Sequence, residues 1–249
     1  MLCHRFYMPE GPTIIILKEQ VQPFIGKKIK IASGNAKIDM SIFKNKTIKD
    51  FKSWGKHFLI CFNDFTVRIH FLMFGSYAIN EKKDRKEKLH LQFSKGEINF
   101  YTCSIKIIED DINEVYDWTS DVMSDKWNEK NALEKLRHSS NLLICDALLD
   151  QNIFSGVGNI IKNEVLFRTR IHPESIANKI PSAKRKALIK DSVDYSFEFL
   201  KWKKLFELKK HWLAYNKKIC PRCNIPLIKE YLGKTKRRTF YCNNCQKLY

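Results

Sequence analysis

Apolar residues near the start of the chain recur at helical spacing. Ile14, Ile15, Leu17, Val21 and Phe24 follow a Gly11-Pro12 pair, which places proline in a first helical turn where its missing N–H costs nothing, and Gly26 supplies a stop. Beyond it the period shortens. Apolar and β-branched runs at Lys28 to Ala32, His57 to Phe62, Phe65 to Phe71, Ser76 to Ile79, Leu89 to Phe93, Glu97 to Thr102 and Ile105 to Ile108 are separated by Gly, Asn, Asp and Lys. Seven strands of this length predict a β-sandwich.

From about Asn128 the pattern returns to helices, expected at Ala132 to Leu136, Leu142 to Leu149, Asn159 to Phe167 and Ala183 to Leu200. A cysteine-rich tail begins at Cys220. The expected class is α+β: an N-terminal helix plus β-sandwich domain (1–120), a helical domain (121–215) and a small cysteine unit with a β-hairpin (216–249). The boundary between the first two is expected between Asp117 and Asn128.

Composition adds a partner class. The chain has 249 residues and a formal net charge of +18. Much of the excess is local: from Lys201 onward there are eleven Lys and three Arg against two Glu. A concentrated basic surface suits a polyanion, because each neutralised phosphate releases condensed counterions. An ordinary lysine-rich solvated surface is the alternative. The longest apolar runs, such as Ile14 to Leu17, are far too short to cross a bilayer, and MLCHRFY has no apolar stretch of signal-peptide length. The expectation is a soluble intracellular protein of the cytoplasm or nucleoid, acting as a monomer.

Cys220-Pro-Arg-Cys223 and Cys242-Asn-Asn-Cys245 form C-x2-C-x18-C-x2-C, the spacing of two thiolate knuckles closing one tetrahedral site. Four sulfurs leave no open coordination position, so one structural Zn2+ per chain is expected. Two disulfides are the alternative. Cys61, Cys103 and Cys145 share no ligand spacing and read as reduced, mostly buried residues. Between the knuckles, Lys229, Lys234, Lys236, Arg237 and Arg238 are interleaved with Tyr231, Phe240 and Tyr241, a composition suited to phosphates and bases.

Four motifs in order complete the picture: Met8-Pro9-Glu10-Gly11-Pro12, Gly55-Lys56-His57, Leu148-Leu149-Asp150-Gln151 with Gly156-Val157-Gly158-Asn159, and Arg237 five residues before Cys242. Together they resemble the formamidopyrimidine-DNA glycosylase and endonuclease VIII family over nearly the whole chain from Met8. The resemblance implies a helix-two-turn-helix in the helical domain and a zinc finger in the hairpin. It also implies a bifunctional DNA glycosylase and abasic-site lyase of base excision repair, acting on damaged double-stranded DNA. In such an enzyme Pro9 is the nucleophile, Glu10 the general acid/base, and Lys56, Asn159 and Arg237 grip phosphates, with Lys56 also counted in the catalytic set. Met73 matches the place where the family fills the gap left by a flipped base. Each residue also has a plainer reading: Pro9 and Glu10 as helix-start residues, Lys56 as a strand-end cation, Gly156 and Gly158 as turn glycines, Met73 as core.

The chemistry accounts for the residue types. A secondary amine at a chain start has a pKa near ~8, leaving a useful unprotonated fraction at neutral pH, and can form a Schiff base at C1′ from which elimination breaks the strand. An internal proline is an amide and cannot. Met1 to Tyr7 precede the motif, so the expectation is translation from Met8 or removal of the leader; otherwise the chain is a relative that binds damaged or abasic DNA without turnover. Phe199 to Lys218 is rich in Lys, Leu and Trp where family members specific for oxidised purines carry a Gly/Thr-rich capping loop. That favours oxidised pyrimidines or ring-opened lesions over 8-oxoguanine. Trp202, Leu205, Phe206 and Leu208 in this stretch are read as helical core. An RNA-binding zinc ribbon would leave the Met8 to Pro12 and Asn159 motifs without a role.

Overall fold

The structure, a computed structural model, describes residues 9–249; Met1 to Met8, which hold the leader, the start motif's methionine and Cys3, lie outside the described residues. The chain forms two compact units that divide between Tyr116 and Asp117.

The first unit opens with α1 (Gly11–Gln20), followed by a 3-10 turn at Gln22–Phe24 and by Gly26 in the left-handed region at φ 75°. Eight strands come next: β1 (Ile31–Ser33), β2 (Asp50–Trp54), β3 (His57–Cys61), β4 (Thr66–His70), β5 (Ser76–Ile79), β6 (Leu89–Gln92), β7 (Glu97–Tyr101) and β8 (Ser104–Ile108). They build two antiparallel four-stranded sheets, ordered β1-β6-β7-β5 and β2-β3-β4-β8. The apolar positions meet in one core containing Phe43, Phe58, Ile60, Val67, Ile69, Leu91, Ile98 and Phe100, and α1 adds Ile14 and Leu17 to it. A short helix α2 (Ile112–Val115) closes the unit.

Seven of the strands fall where the alternation predicts them, and β2 is an addition. Its sequence, Asp-Phe-Lys-Ser-Trp, carries three polar residues and only Phe51 and Trp54 are buried. Pairing with β3 makes it a strand, in a register that sets Trp54 opposite His57 and leaves Gly55-Lys56 as the turn.

The second unit holds α3 (Glu129–His138), α4 (Ile144–Ala147), α5 (Asn159–Thr169), α6 (Ser182–Lys204) and a hairpin of β9 (Ile228–Leu232) with β10 (Arg237–Tyr241). Asn128 caps α3 by accepting the Asn131 N–H at 3.1 Å. Helix α6 runs four residues beyond the expected end because no glycine stops it. It closes on Phe206 at φ 60°, where the Glu207 N–H donates to the Trp202 carbonyl and the Phe206 N–H to that of Lys203. This is a Schellman closure with a bulky residue in the left-handed seat. The four apolar residues of this stretch therefore separate: Leu208 is buried, Trp202 half-buried, and Leu205 and Phe206 are exposed rather than core.

Phe100 is fully buried between the sheets. Phe100→Ala is expected to destabilise the first unit by about 3–5 kcal/mol, checked by urea denaturation; a loss under about 1 kcal/mol would contradict this packing.

Candidate functional site

In the first unit Pro9 and Glu10 are both buried at the start of α1, with Glu10 only 1% exposed. The local chain is tied by Thr13: the Glu10 N–H donates to Thr13 Oγ1 at 3.1 Å, and the Thr13 hydroxyl donates to the Glu10 carbonyl at 2.7 Å. Pro12 occupies the first turn, so no amide is wasted there.

Lys56 sits in the two-residue β2-β3 turn, with Gly55 at φ 50° supplying the left-handed position that such turns require. Around it are two imidazoles, a tyrosine and an arginine. His57 Nδ1 lies 3.2 Å from the Tyr116 hydroxyl, and the His57 and His70 rings meet edge to face at 5.3 Å. Burial, reinforced by Arg68, His70 and Lys56, depresses His57 to about 3. Burial and the cations of Lys56 and Arg68 lower His70 as well, while burial pushes Tyr116 up to about 12. The imidazoles are therefore neutral at pH 7, and the fixed charge of this corner belongs to lysine and arginine.

Between β4 and β5 the chain turns sharply. Leu72 (φ 54°), Met73 and Phe74 are 55%, 45% and 73% exposed, so Met73 is not core. The Gly75 N–H donates to the Phe71 carbonyl at 2.7 Å, and a Cβ at Gly75 would fall 2.2 Å from that oxygen. Only glycine closes this turn and thrusts three apolar side chains outward.

In the second unit, α5 carries four buried polar residues that bind other elements. Asn159 Nδ2 donates to the Arg238 carbonyl at 2.9 Å, and its Oδ1 is buried with no hydrogen bond. Asn163 donates to the same carbonyl at 3.3 Å and accepts the Phe240 N–H at 2.7 Å. Lys162 Nζ donates to Thr239 Oγ1 at 2.8 Å. Glu164 accepts the N–H groups of Leu213, Ala214 and Tyr215 at 2.8, 3.0 and 2.7 Å, although burial raises its pKa. Strand β10, which begins at Arg237, is thereby clamped to the helix that follows the Gly156-Val157-Gly158 turn. Lys162, Asn163 and Glu164 escape sequence reasoning because polar residues in a helix ordinarily face water; the run of polar side chains at i, i+3, i+4 and i+5 is the signal that was there to find.

The hairpin separates its aromatics. Tyr231 is exposed beneath the Arg238 guanidinium, 6.0 Å from it, but Phe240 and Tyr241 turn inward. Tyr241 donates to Glu230 at 2.7 Å and packs on His172, and Phe240 packs on Tyr215. The expected interleaving of cations with base-stacking aromatics is thus corrected to a basic outer face with one exposed ring: consecutive strand residues face opposite ways, and both faces are covered at this end of β10, Phe240 by Tyr215 and Tyr241 by His172.

Cys220, Cys223, Cys242 and Cys245 converge with their sulfurs all within 4.8 Å of one another. The Cys220 and Cys245 sulfurs are 3.8 Å apart, the edge of a tetrahedron about a metal bonded at ~2.3 Å and far beyond the ~2.0 Å of a disulfide. The four residues fit a metal ion. Arg222, between the first two cysteines, stacks at 3.8 Å on Phe167 and donates to its carbonyl, so this knuckle docks on the end of α5. Cys61, Cys103 and Cys145 are unbridged and buried, as expected, with thiol pKa values raised chiefly by burial.

A β-sandwich opened by a Pro-Glu helix start, followed by a helical unit that clamps a four-cysteine hairpin, defines the class of helix-two-turn-helix proteins with a cysteine-bound hairpin. Two family models match: the formamidopyrimidine-DNA glycosylase N-terminal domain over residues 8–104 and the H2TH domain of the same family over residues 119–197. Endonuclease 8-like 2 of Mus musculus is 36% identical over 197 residues, covering 72% of this chain and 57% of that protein. Endonuclease 8-like 3 of Mus musculus is 28% identical over 217 residues, 84% of this chain and 36% of that protein. The chain thus spans from about a third to somewhat over half the length of these relatives. Lactococcus lactis formamido-pyrimidine DNA glycosylase, solved bound non-covalently to DNA containing an AP site, superposes with a TM-score of 0.83 at 22% identity, covering 96% of this chain and 99% of that one. This chain belongs to the formamidopyrimidine-DNA glycosylase and endonuclease VIII family.

The depressed pKa of His57 has a measurable sign. The unfolded imidazole takes up a proton near ~6.5, the folded one only at about 3, so its contribution to stability is complete above the unfolded value and is lost as pH falls through that window. Urea titrations at pH 7 and 4.5 are expected to show wild type losing about 1–2 kcal/mol more than His57→Gln; equal losses would mean that His57 titrates normally.

Proposed function

We propose that this protein is a DNA glycosylase that excises damaged bases and then nicks the strand as an abasic-site lyase, with Pro9 as its nucleophile. The observation that carries the reading is the Pro9-Glu10 pair, buried at the start of α1 in a chain of this family. Once Pro9 is the first residue, its nitrogen is a secondary amine. It attacks C1′, the bond from C1′ to the base breaks, and the base leaves with a proton. Glu10, the next residue along the chain and sheltered from water, exchanges protons with the sugar as general acid/base. The attached nitrogen loses its proton and the C1′–O4′ bond opens, O4′ leaving as a hydroxyl with a proton from Glu10, so that an iminium forms; it acidifies the 2′ hydrogen, whose loss expels the 3′ phosphate, and water releases the amine.

The other assignments follow the same division of labour. Lys56, on its rigid glycine turn, and Arg237, at the start of the clamped strand, neutralise phosphates of damaged double-stranded DNA. Asn159 contributes from the start of α5; with its side-chain amide donating to Arg238, its role there combines phosphate approach with hairpin placement. Met73, presented with Leu72 and Phe74 on the exposed turn, fills the space of an extruded base. The four cysteines hold one structural Zn2+, the ion whose tetrahedral four-sulfur sites are closed to substrate. A lysine-rich segment after α6 in place of a Gly/Thr-rich cap supports oxidised pyrimidines or ring-opened purines as substrates.

A second reading rests on one observation: seven residues precede Met8 in the sequence. If they are retained, Pro9 is an amide and the protein binds abasic DNA without turnover.

Borohydride trapping on abasic duplex separates the two readings. The enzyme reading expects a covalent adduct that Glu10→Gln abolishes and Pro9→Gly reduces less completely, with intact mass placing Pro9 first; no adduct, or an adduct from a chain still carrying Met1, overturns it. Metal analysis is expected to find about one zinc per chain, with four further thiols becoming titratable on chelation; metal-free protein with the same stability would remove the zinc assignment.

A further inference from the structure

The β9-β10 turn carries the most concentrated positive charge of the hairpin, with Lys234, Lys236, Arg237 and Arg238 within five residues. Such a turn has little to hold it. Its four residues, Gly233 to Lys236, include two in the left-handed region (Gly233 at φ 73°, Lys236 at φ 46°), and one backbone bond closes it, from the Lys236 N–H to the Gly233 carbonyl at 3.2 Å. Four like charges at one tip also repel each other.

The acidic side chain of Asp146 reaches this tip. Asp146, on α4, is only 9% exposed; its Oδ2 accepts the Lys234 N–H at 2.9 Å. The contact is close on both oxygens: a Cβ at Gly233 would lie 2.3 Å from Oδ1 and 2.7 Å from Oδ2. Oδ1 is buried and accepts no hydrogen bond. A carboxylate kept in this position, with one oxygen unsatisfied, is costly unless its charge is used. The partner the structure shows for it is the backbone of the adjoining cationic turn, through the Lys234 N–H.

We propose that Asp146 is a positioning residue for DNA binding: it pins the hairpin turn to the helical unit through the Lys234 amide and so fixes the direction in which Arg237 and its neighbouring cations meet phosphate. The assignment deepens the DNA-glycosylase reading above and rests on it. Asp146 touches no substrate atom; it acts through the turn. The tie also accounts for Gly233, since any other residue there would collide with the carboxylate as well as strain the backbone.

The experiment uses the full metal-loaded chain and a duplex bearing an uncleavable tetrahydrofuran abasic analogue. Asp146→Ala is expected to weaken binding on the order of tenfold, the worth of one hydrogen bond to a charged acceptor, with the loss in Kd rather than in the single-turnover rate at saturating DNA. Asp146→Asn keeps an acceptor for the Lys234 N–H and is expected to recover most of the affinity. Because Asp146 acts through the turn, Asp146→Ala combined with Arg237→Ala should bind scarcely more weakly than Arg237→Ala alone. Hydrogen exchange at the Lys234 amide should rise in Asp146→Ala and remain low in Asp146→Asn. Additive losses in the double variant, or an unchanged Kd in Asp146→Ala beside a wild type that binds tightly, overturn the assignment alone. A wild type that binds no abasic duplex overturns the function on which it rests.

Discussion

The second unit depends on one buried seam, the polar face of α5 laid against the backbone of β10. Asn159 and Asn163 share the Arg238 carbonyl, Asn163 also accepts from the Phe240 amide, and Lys162 donates to Thr239. These bonds form in surroundings shielded from water, where each satisfied group counts for more and each orphan costs more than at a surface. A hairpin this small cannot bury enough apolar surface to fix its own orientation. The seam supplies that orientation, and with it the placement of every cation the hairpin carries. Glu164, next along the helix, extends the same logic by capping three consecutive amides of the segment that leads into the first cysteine knuckle.

The four cysteines and the seam divide the work. Four cysteine sulfurs brought within 4.8 Å of one another gather the base of the hairpin, while α5 holds it along its length, so that Arg237 emerges from a strand held at both ends. Aromatic residues that might have stacked on bases are spent inside, on Tyr215 and His172, to seat the strand. The hairpin's outward chemistry is consequently that of charge, which suits recognition of backbone phosphates more than of base edges.

In the first unit the constraint is steric. Glycines at 55 and 75 close two turns that no other residue closes as well, one presenting Lys56 and the other projecting Leu72, Met73 and Phe74. Behind Lys56, burial keeps His57 and His70 neutral, so that the corner holds a fixed positive charge and adds none of its own near neutral pH. Thr13 ties the chain at Glu10 before α1 begins, which sets Pro9 and its neighbouring carboxyl on the rigid sandwich instead of on a free tail.

Much of this was legible in the residues themselves. Alternation located seven of eight strands, and helical periodicity located α1, α3, α5 and α6, because apolar burial imposes its own period on the chain. Thiol spacing located the four-cysteine cluster, since each C-x2-C knuckle aims two sulfurs at one point. What the linear order could not reveal were features fixed by partners distant in the chain. Strand β2 exists because β3 pairs with it, and α6 continues because Phe206 accepts a left-handed seat. Met73 lies outside on the tight turn that Gly75 closes against Phe71, while Phe240 and Tyr241, on opposite faces of β10, both lie inside because Tyr215 covers one and His172 the other. Lys162, Asn163 and Glu164 read as solvent-facing residues until the hairpin covers them, and Asp146 reads as an ordinary helix acid until Gly233 meets it. Local periodicity is written residue by residue, whereas the destination of a buried polar group is decided by the one element that can satisfy it, and only the folded chain brings that element near.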